Sequence, residues 1–307
     1  MDAKGTAEKA FGSDAMTGAH TVSQSITHTP AAPGRLRHPA EIPFYIFMVI
    51  LNVLIIVLII RFAFVLPFVP ARYQQSGWAI AIRTAFVGLL LLIPGLIVVR
   101  ETQRAATRGT AVQLSPTQYS ALYRTADDFA RRLGLRRRPQ IYLANGNGTL
   151  NAFAAQATGH DYVVLSNELF VNLYNGNQDG LSFILGHELG HIRLHHVSLW
   201  YQISVTYSQL IPLLGPTLSR LREYSCDRHG AYLSPRGATG LVLLASGRYT
   251  ETDVDIDELV SQGRMLGGFW FGLATLPRSH PFTVRRLERL YRIGLFRDAM
   301  HDAQARA

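Results

Sequence analysis

The chain has a single cysteine, Cys226, in 307 residues, so an intrachain disulfide is excluded and a reducing compartment suits it. Lysine is almost as scarce, occurring only at positions 4 and 9, and the arginines that supply the rest of a +9 net charge are dispersed. With no groove-reading motif and no basic stripe, the charge argues for anionic lipid head groups as its counterpart and against nucleic acid. Arg136-Arg137-Arg138, the densest run, reads as a solvated loop. Charged residues amount to 17% of the chain, against 48% hydrophobic residues and a mean hydropathy of +0.11. That balance is high for a wholly soluble protein.

The apolar excess is concentrated early. Pro43 to Ile60 form a run of 18 residues in which only Asn52 is strongly polar, and Trp78 to Val99 form a run of 22 interrupted by Arg83. About 20 helical residues cross a bilayer core, so both runs are long enough to span, with Arg83 placed to snorkel. The short connector Pro70 to Gly77 makes them a hairpin, expected at about 43–62 and 78–99 within residues 43–100. A cleaved signal peptide does not fit a polar leader of more than 40 residues followed by a second apolar run. Arg35 and Arg37 precede the first run and Arg100, Arg104 and Arg108 follow the second, against Arg72 and Arg61 on the other side. The positive-inside rule then puts both tails in the cytoplasm. The expected location is a multi-pass protein of the inner or plasma membrane. Residues 1–42, rich in Ala, Thr, Ser and Gly, read as a disordered tail whose histidines (His20, His28, His38) are polar filler, and 296–307 as a second tail.

The most informative segment is His187-Glu188-Leu189-Gly190-His191. Leu181, Phe183, Ile184, Leu185, Leu189, Ile192 and Leu194 give it a helical apolar face, and Gln178-Asp179-Gly180 supplies a start. On a helix this HExxH spacing brings two imidazoles one turn apart with a carboxylate beside them, the arrangement of a zinc site with a general base. A catalytic zinc takes three protein ligands, so one is still needed. The extended form HExxHxxGxxH fails, because Leu194 and Val197 stand where Gly and His belong. Glu223, 32 residues beyond His191, is the alternative, and Asp227 one turn later can fix a ligand imidazole's tautomer.

The segments Asn151-Ala152-Phe153-Ala154, HExxH at 187–191, Glu223-Tyr224-Ser225-Cys226-Asp227-Arg228 and Ser279-His280-Pro281 occur in the order seen in membrane zinc metallopeptidases of the HtpX and CAAX-prenyl-protease type, which the chain resembles over roughly residues 110–295. The resemblance implies an α+β fold: a mainly helical zincin-type domain with a small sheet whose edge borders the cleft, preceded by the transmembrane hairpin. It implies one Zn²⁺ per chain on His187, His191 and Glu223, with Glu188 as general base and acid and His280 as oxyanion donor. Asn151 and Ala152 are the candidate substrate contacts on the sheet edge. Arg286, a basic position after the Ser-His-Pro motif, pairs either with Asp227 or with substrate. Cytoplasmic cleavage of polypeptides, misfolded or membrane proteins in quality control, is the implied activity, while the oligomeric state is unreadable.

Around these motifs a helix is expected from Ser115-Pro116 to about Leu133, strands at Gln140–Leu143 and Tyr162–Leu165, and helices at Leu218–Leu233, at Gly237–Arg248 and after Pro281. Residues 197–219 are too few for two crossings, and one crossing would part His191 from Glu223. They are expected to form a helical hairpin or lid, a departure from the further spans expected of HtpX. Cys226, His195, His196 and His229 read as packing or surface residues. Two other readings remain open: a membrane sensor or regulatory scaffold using a peptidase-like domain, and a basic surface-binding module with a chance HExxH.

Overall fold

The computed structural model describes residues 36–157, 159–176, 178–247 and 253–295. The readings of residues 1–35 and 296–307 as tails lie outside them. The described part is mainly helical with one small mixed sheet.

The two apolar runs form α1 (Glu41–Phe64) and the pair α2 (Gly77–Leu90) and α3 (Leu92–Thr110), and both are long and apolar enough to cross a membrane. The second is interrupted at Leu91, since Pro94 has no N–H for the carbonyl of Leu90. α1 packs along α2, with Phe62 stacked on Phe86 at 5.1 Å. Arg83 reaches back to the connector and donates to Gln74 O at 2.8 Å. The helix does not stop at Val99. It carries Arg100 to Val197 O (2.7 Å) and Arg104 to Ala157 O (3.2 Å), so these arginines join the second run to the following domain.

The sheet has the order β1-β2-β4-β3, built from β1 (Val112–Gln113), β2 (Gln140–Ala144), β3 (Ala152–Ala157) and β4 (His160–Ser166). β2 and β4 are parallel, and β1 and β3 are antiparallel additions at the two edges. Between β1 and β2 runs α4 (Ser120–Arg132), which starts later than expected. Pro116 sits in a turn closed by reciprocal bonds between Ser115 and Gln118, which stops the helix from opening there.

α5 (Asn167–Gly176) leads into α6 (Gln178–Arg193), which carries HExxH and is buried among the sheet, α8 (Leu214–Leu233) and α9 (Thr239–Ser246). Gly186 and Gly190 on α6 set the approach of α8. A Cβ on Gly186 would meet Gly230 Cα at 3.2 Å, and one on Gly190 would meet Cys226 Cα at 3.3 Å. This small-residue seam brings Glu223 within reach of both histidines. α10 (Ile256–Met265) starts on the Asp255 cap, and α11 (Gly268–Thr275) and α12 (Thr283–Arg292) complete the described chain.

Residues 197–219, expected as a helical hairpin or lid, contribute Val197, Gln202 and Ser219 to the cavity described below. They form a short helix α7 (Leu199–Ile203), a 3₁₀ turn (Ser208–Leu210) and the first turns of α8, and they clasp α1. Tyr45 stacks on Tyr201 at 4.4 Å, and Met48 packs with Tyr201, Val205 and Leu218. The Asn52 carbonyl accepts from Tyr207 N (2.8 Å) and Ser208 N (3.3 Å), while its amide donates to Ile203 O (3.3 Å). The one strongly polar residue of the first run therefore satisfies a buried turn. Asn52→Leu leaves two buried N–H groups without an acceptor, at about 1–3 kcal/mol each. The expected result is faster proteolytic nicking between residues 203 and 213 in detergent-purified protein.

Residues 36–40, expected within the tail, are seated on the domain as well. Leu36 is buried, Arg37 donates to Leu194 O (3.2 Å), and His38 N donates to Ser225 Oγ (2.8 Å). His38, partly buried between Arg228 and Arg289, has its pKa lowered to about 4 by burial and then by those cations. It is a neutral structural residue.

Candidate metal centre

α6 and α8 bring together the residues that the sequence singled out. His187 Nε2 lies 3.4 Å from Glu223 Oε2, and His191 Nε2 lies 3.4 Å from Glu223 Oε1. Donors at about 2.0–2.1 Å from a tetrahedral ion stand about 3.3–3.4 Å apart, so two imidazole nitrogens and a carboxylate at these separations fit one zinc. The three donor groups converge within 4.8 Å.

Behind His187 stands Asp227. His187 Nδ1 donates to Asp227 Oδ1 at 3.0 Å, which fixes the tautomer that leaves Nε2 free for a cation. Arg286 forks onto the same carboxylate, Nε to Oδ2 at 2.9 Å and Nη2 to Oδ1 at 2.6 Å. Of the two alternatives for Arg286, pairing with Asp227 is the one the structure contains. It is buried behind His187 and also contributes to the lining of the cavity over these groups.

The electrostatics are those of a cation site. Burial opposes charge on His187, but its bonds to Asp227 and Glu223 outweigh burial and push its pKa up to about 10. Burial likewise opposes ionised Glu223, yet His187 and His191 hold its carboxyl well below the usual range. Asp227 is held low against burial by Arg286 and His187. Two anionic carboxylates thus sit buried around nitrogen donors.

A cavity of about 350 Å³ opens over these groups. Its wall includes Glu188, which is buried, and Asn151, Ala152, Phe153 and Ala154 from the β3 edge. Asn151 is held by Ser166, which accepts its N–H at 3.0 Å and donates to its carbonyl at 2.8 Å. His280 is largely exposed at the same cavity, its Nε2 3.7 Å from Glu223 Oε1. Arg222, unremarked in the sequence, also lines it, with its Nε buried and unbonded.

The other histidines separate. His195 is exposed. His229 is buried, its Nδ1 donating to Ser225 O at 2.8 Å, and burial lowers its pKa to about 4. Cys226 is fully buried against Gly190, with its thiol pushed well up by burial, as a small packing residue requires. His196 is different, and sequence reasoning missed it: its Nδ1 lies 3.2 Å from His191 Nδ1 and its Nε2 3.0 Å from Glu41 Oε1.

The fold and this donor set place a candidate two-histidine, one-glutamate metal site beside a cavity of about 350 Å³. Residues 116–201 match the model of peptidase family M48, which supports a metallopeptidase. The matched stretch includes β2 to β4 and HExxH, and Glu223, Asp227, His280 and Arg286 follow it in the chain. No curated protein and no solved structure gives a significant match.

Proposed function

We propose that the chain is a membrane-anchored zinc endopeptidase of the HtpX-like kind, acting on polypeptides at the cytoplasmic face. The observation that carries this reading is the convergence of His187, His191 and Glu223, with Glu188 lining the adjoining cavity. When bound there, zinc supplies Lewis acidity, acidifying a water and polarising a peptide carbonyl.

The chain's own residues have the following roles. Asp227, oriented by Arg286, keeps the His187 proton on Nδ1. Glu188 takes a proton from water at its carboxylate and passes it to the leaving amine. His280 donates from its ring to the developing oxyanion. The β3 edge at Asn151 and Ala152 receives the substrate as an added strand, through main-chain bonds that select little by side chain. Arg222 is a further cation that faces substrate, beside Arg286 in the same cavity lining.

The division into a hairpin at 43–100 and a peptidase domain at 110–295 is part of the proposal. Its support is the way α1 is used. From Glu41 to Asn52 the helix rises about 16 Å, and along that length it touches Ser225, Leu218 and Ser208 in turn. With α1 in a bilayer, the 199–214 segment sits in the near leaflet. Trp200, Leu210 and Leu213 are exposed there, as are Phe269 and Trp270 on α11, whose last turn Arg220 of α8 holds. Such a belt keeps the groove at the membrane surface, where exposed segments of membrane proteins are the available substrates.

The test is zinc content of the detergent-purified chain together with cleavage of a chemically unfolded protein, with and without chelator. One zinc per chain and cleavage lost on chelation and restored by zinc are expected. Zinc without cleavage would favour the membrane sensor or scaffold, and no zinc would overturn the metal site.

A further inference from the structure

We infer that Glu41, the first residue of the apolar helix α1, is a positioning residue for the metal site, acting on His191 through His196. The inference rests on the metal-site reading above and extends it to a residue 150 positions before its ligand.

The hydrogen-bond directions follow from the ligand role of His191, with the Cys226 thiol a second neighbour of His196 Nδ1, its Sγ 3.6 Å away. With Nε2 of His191 facing Glu223 and the ion, its proton is on Nδ1, which donates to His196 Nδ1 at 3.2 Å. His196 then carries its own proton on Nε2 and donates to Glu41 Oε1 at 3.0 Å. Glu41 is a fixed acceptor: its second oxygen accepts from the Ser225 hydroxyl, and Arg37 Nε lies 3.3 Å from the first. His196 and Glu41 are each 1% exposed, so water does not compete for these bonds. The two ligand imidazoles are therefore backed alike. His187 leans directly on Asp227, and His191 leans on a carboxylate one imidazole further away.

The backbone explains how His196 comes to stand there. α6 ends in a Schellman turn: His195 takes φ 62°, its N–H bonds Ile192 O at 3.0 Å, and the N–H of His196 bonds His191 O at 2.9 Å. This bond folds residue 196 back over residue 191 and lays the two rings 5.3 Å apart. Glu41 arrives from the other side because α1 runs along α8 at Ser225.

The functional consequence is that the membrane helix takes part in the metal site. Withdrawal of the first turn of α1 from α8 removes the carboxylate that orients His191, and metal affinity falls with it. Partners of this kind behind a ligand are worth about 10- to 100-fold in affinity. A competing arrangement uses the same atoms, because His191, His196 and Cys226 also converge within 4.8 Å. There His191 would bridge two ions, and two metals would bind per chain.

The experiment uses the full chain in detergent and compares wild type with Glu41→Gln and His196→Asn. Zinc affinity is read by chelator competition, site geometry by the visible spectrum of the cobalt-substituted protein, and folding by the melting of the metal-free protein. Both variants are expected to bind one zinc at saturation, 10- to 100-fold more weakly, with an altered cobalt spectrum and a metal-free melting temperature close to wild type. Wild-type affinity and spectrum in both variants would overturn the relay alone, whereas a wild type that binds no zinc would overturn the metal site on which it rests. A second ion per wild-type chain, lost in Cys226→Ala, would replace the relay with the bridged pair. If Glu41→Gln does not fold, His196→Asn decides the matter, since it leaves Glu41 on Ser225 and Arg37.

Discussion

Glu188→Gln is expected to keep one zinc per chain and to lower kcat by about 10²- to 10⁴-fold, with KM little changed. Glu188 lies between the two histidines in sequence and lines the cavity, and it is outside the convergent donor triad. Glutamine has the same shape and retains a hydrogen-bonding head, so the groove and the ligands keep their arrangement. Only basicity is lost. An effect confined to kcat identifies a group that acts in the transition state. Zinc analysis beside separate kcat and KM values checks the claim. Loss of zinc together with cleavage would make Glu188 a structural residue, and full cleavage with zinc retained would require the base to be found elsewhere in the cavity, His280 first.

How far the sequence discloses such a site depends on whether the chemistry repeats at a local period. HExxH and the Glu223–Asp227 spacing are both i, i+4 on helices, and each helix carries an apolar face or small-residue seam that fixes which side is buried. Those residues were legible, as were β2 and β4 from their short β-rich runs between turn residues, whereas the alanine-rich β3 was indicated only by the family resemblance. His196 was not. The turn that folds it onto His191 is usually marked by glycine, and here His195 occupies the left-handed position. Glu41 was less legible still, since its role depends on the packing of an apolar helix against α8, which no local period records. The same packing explains the 197–219 segment. Its polar residues look like those of a solvated lid, yet Ser204 bonds Tyr45, and the backbone N–H groups of Tyr207 and Ser208 donate to Asn52. Pro116 misled in the opposite sense, because a proline that opens a helix and one that opens a tight turn look alike in sequence.

Asp227→Leu is expected to destabilise the metal-free protein by about 3–5 kcal/mol, because it strands the Arg286 guanidinium in the interior. Asp227 and Arg286 are both buried and joined by two short bonds, while the Glu223 carboxylate stands further off, at 3.9 Å from Arg286. The double variant Asp227→Leu with Arg286→Met removes the stranded charge along with its partner, and much of the stability should return, since a buried ion pair often does no better than apolar residues of similar volume. Zinc affinity should not return, because His187 Nδ1 still lacks its acceptor and the imidazole is free to turn. Unfolding of the metal-free single and double variants in detergent, with chelator competition on each, measures the two quantities independently. Recovery of both in the double variant would mean that Asp227 serves only to neutralise Arg286. Recovery of stability alone would mean that the pair is kept for the orientation it imposes on a metal ligand, with the buried charge of Arg286 as the means of holding Asp227 ionised against its own burial.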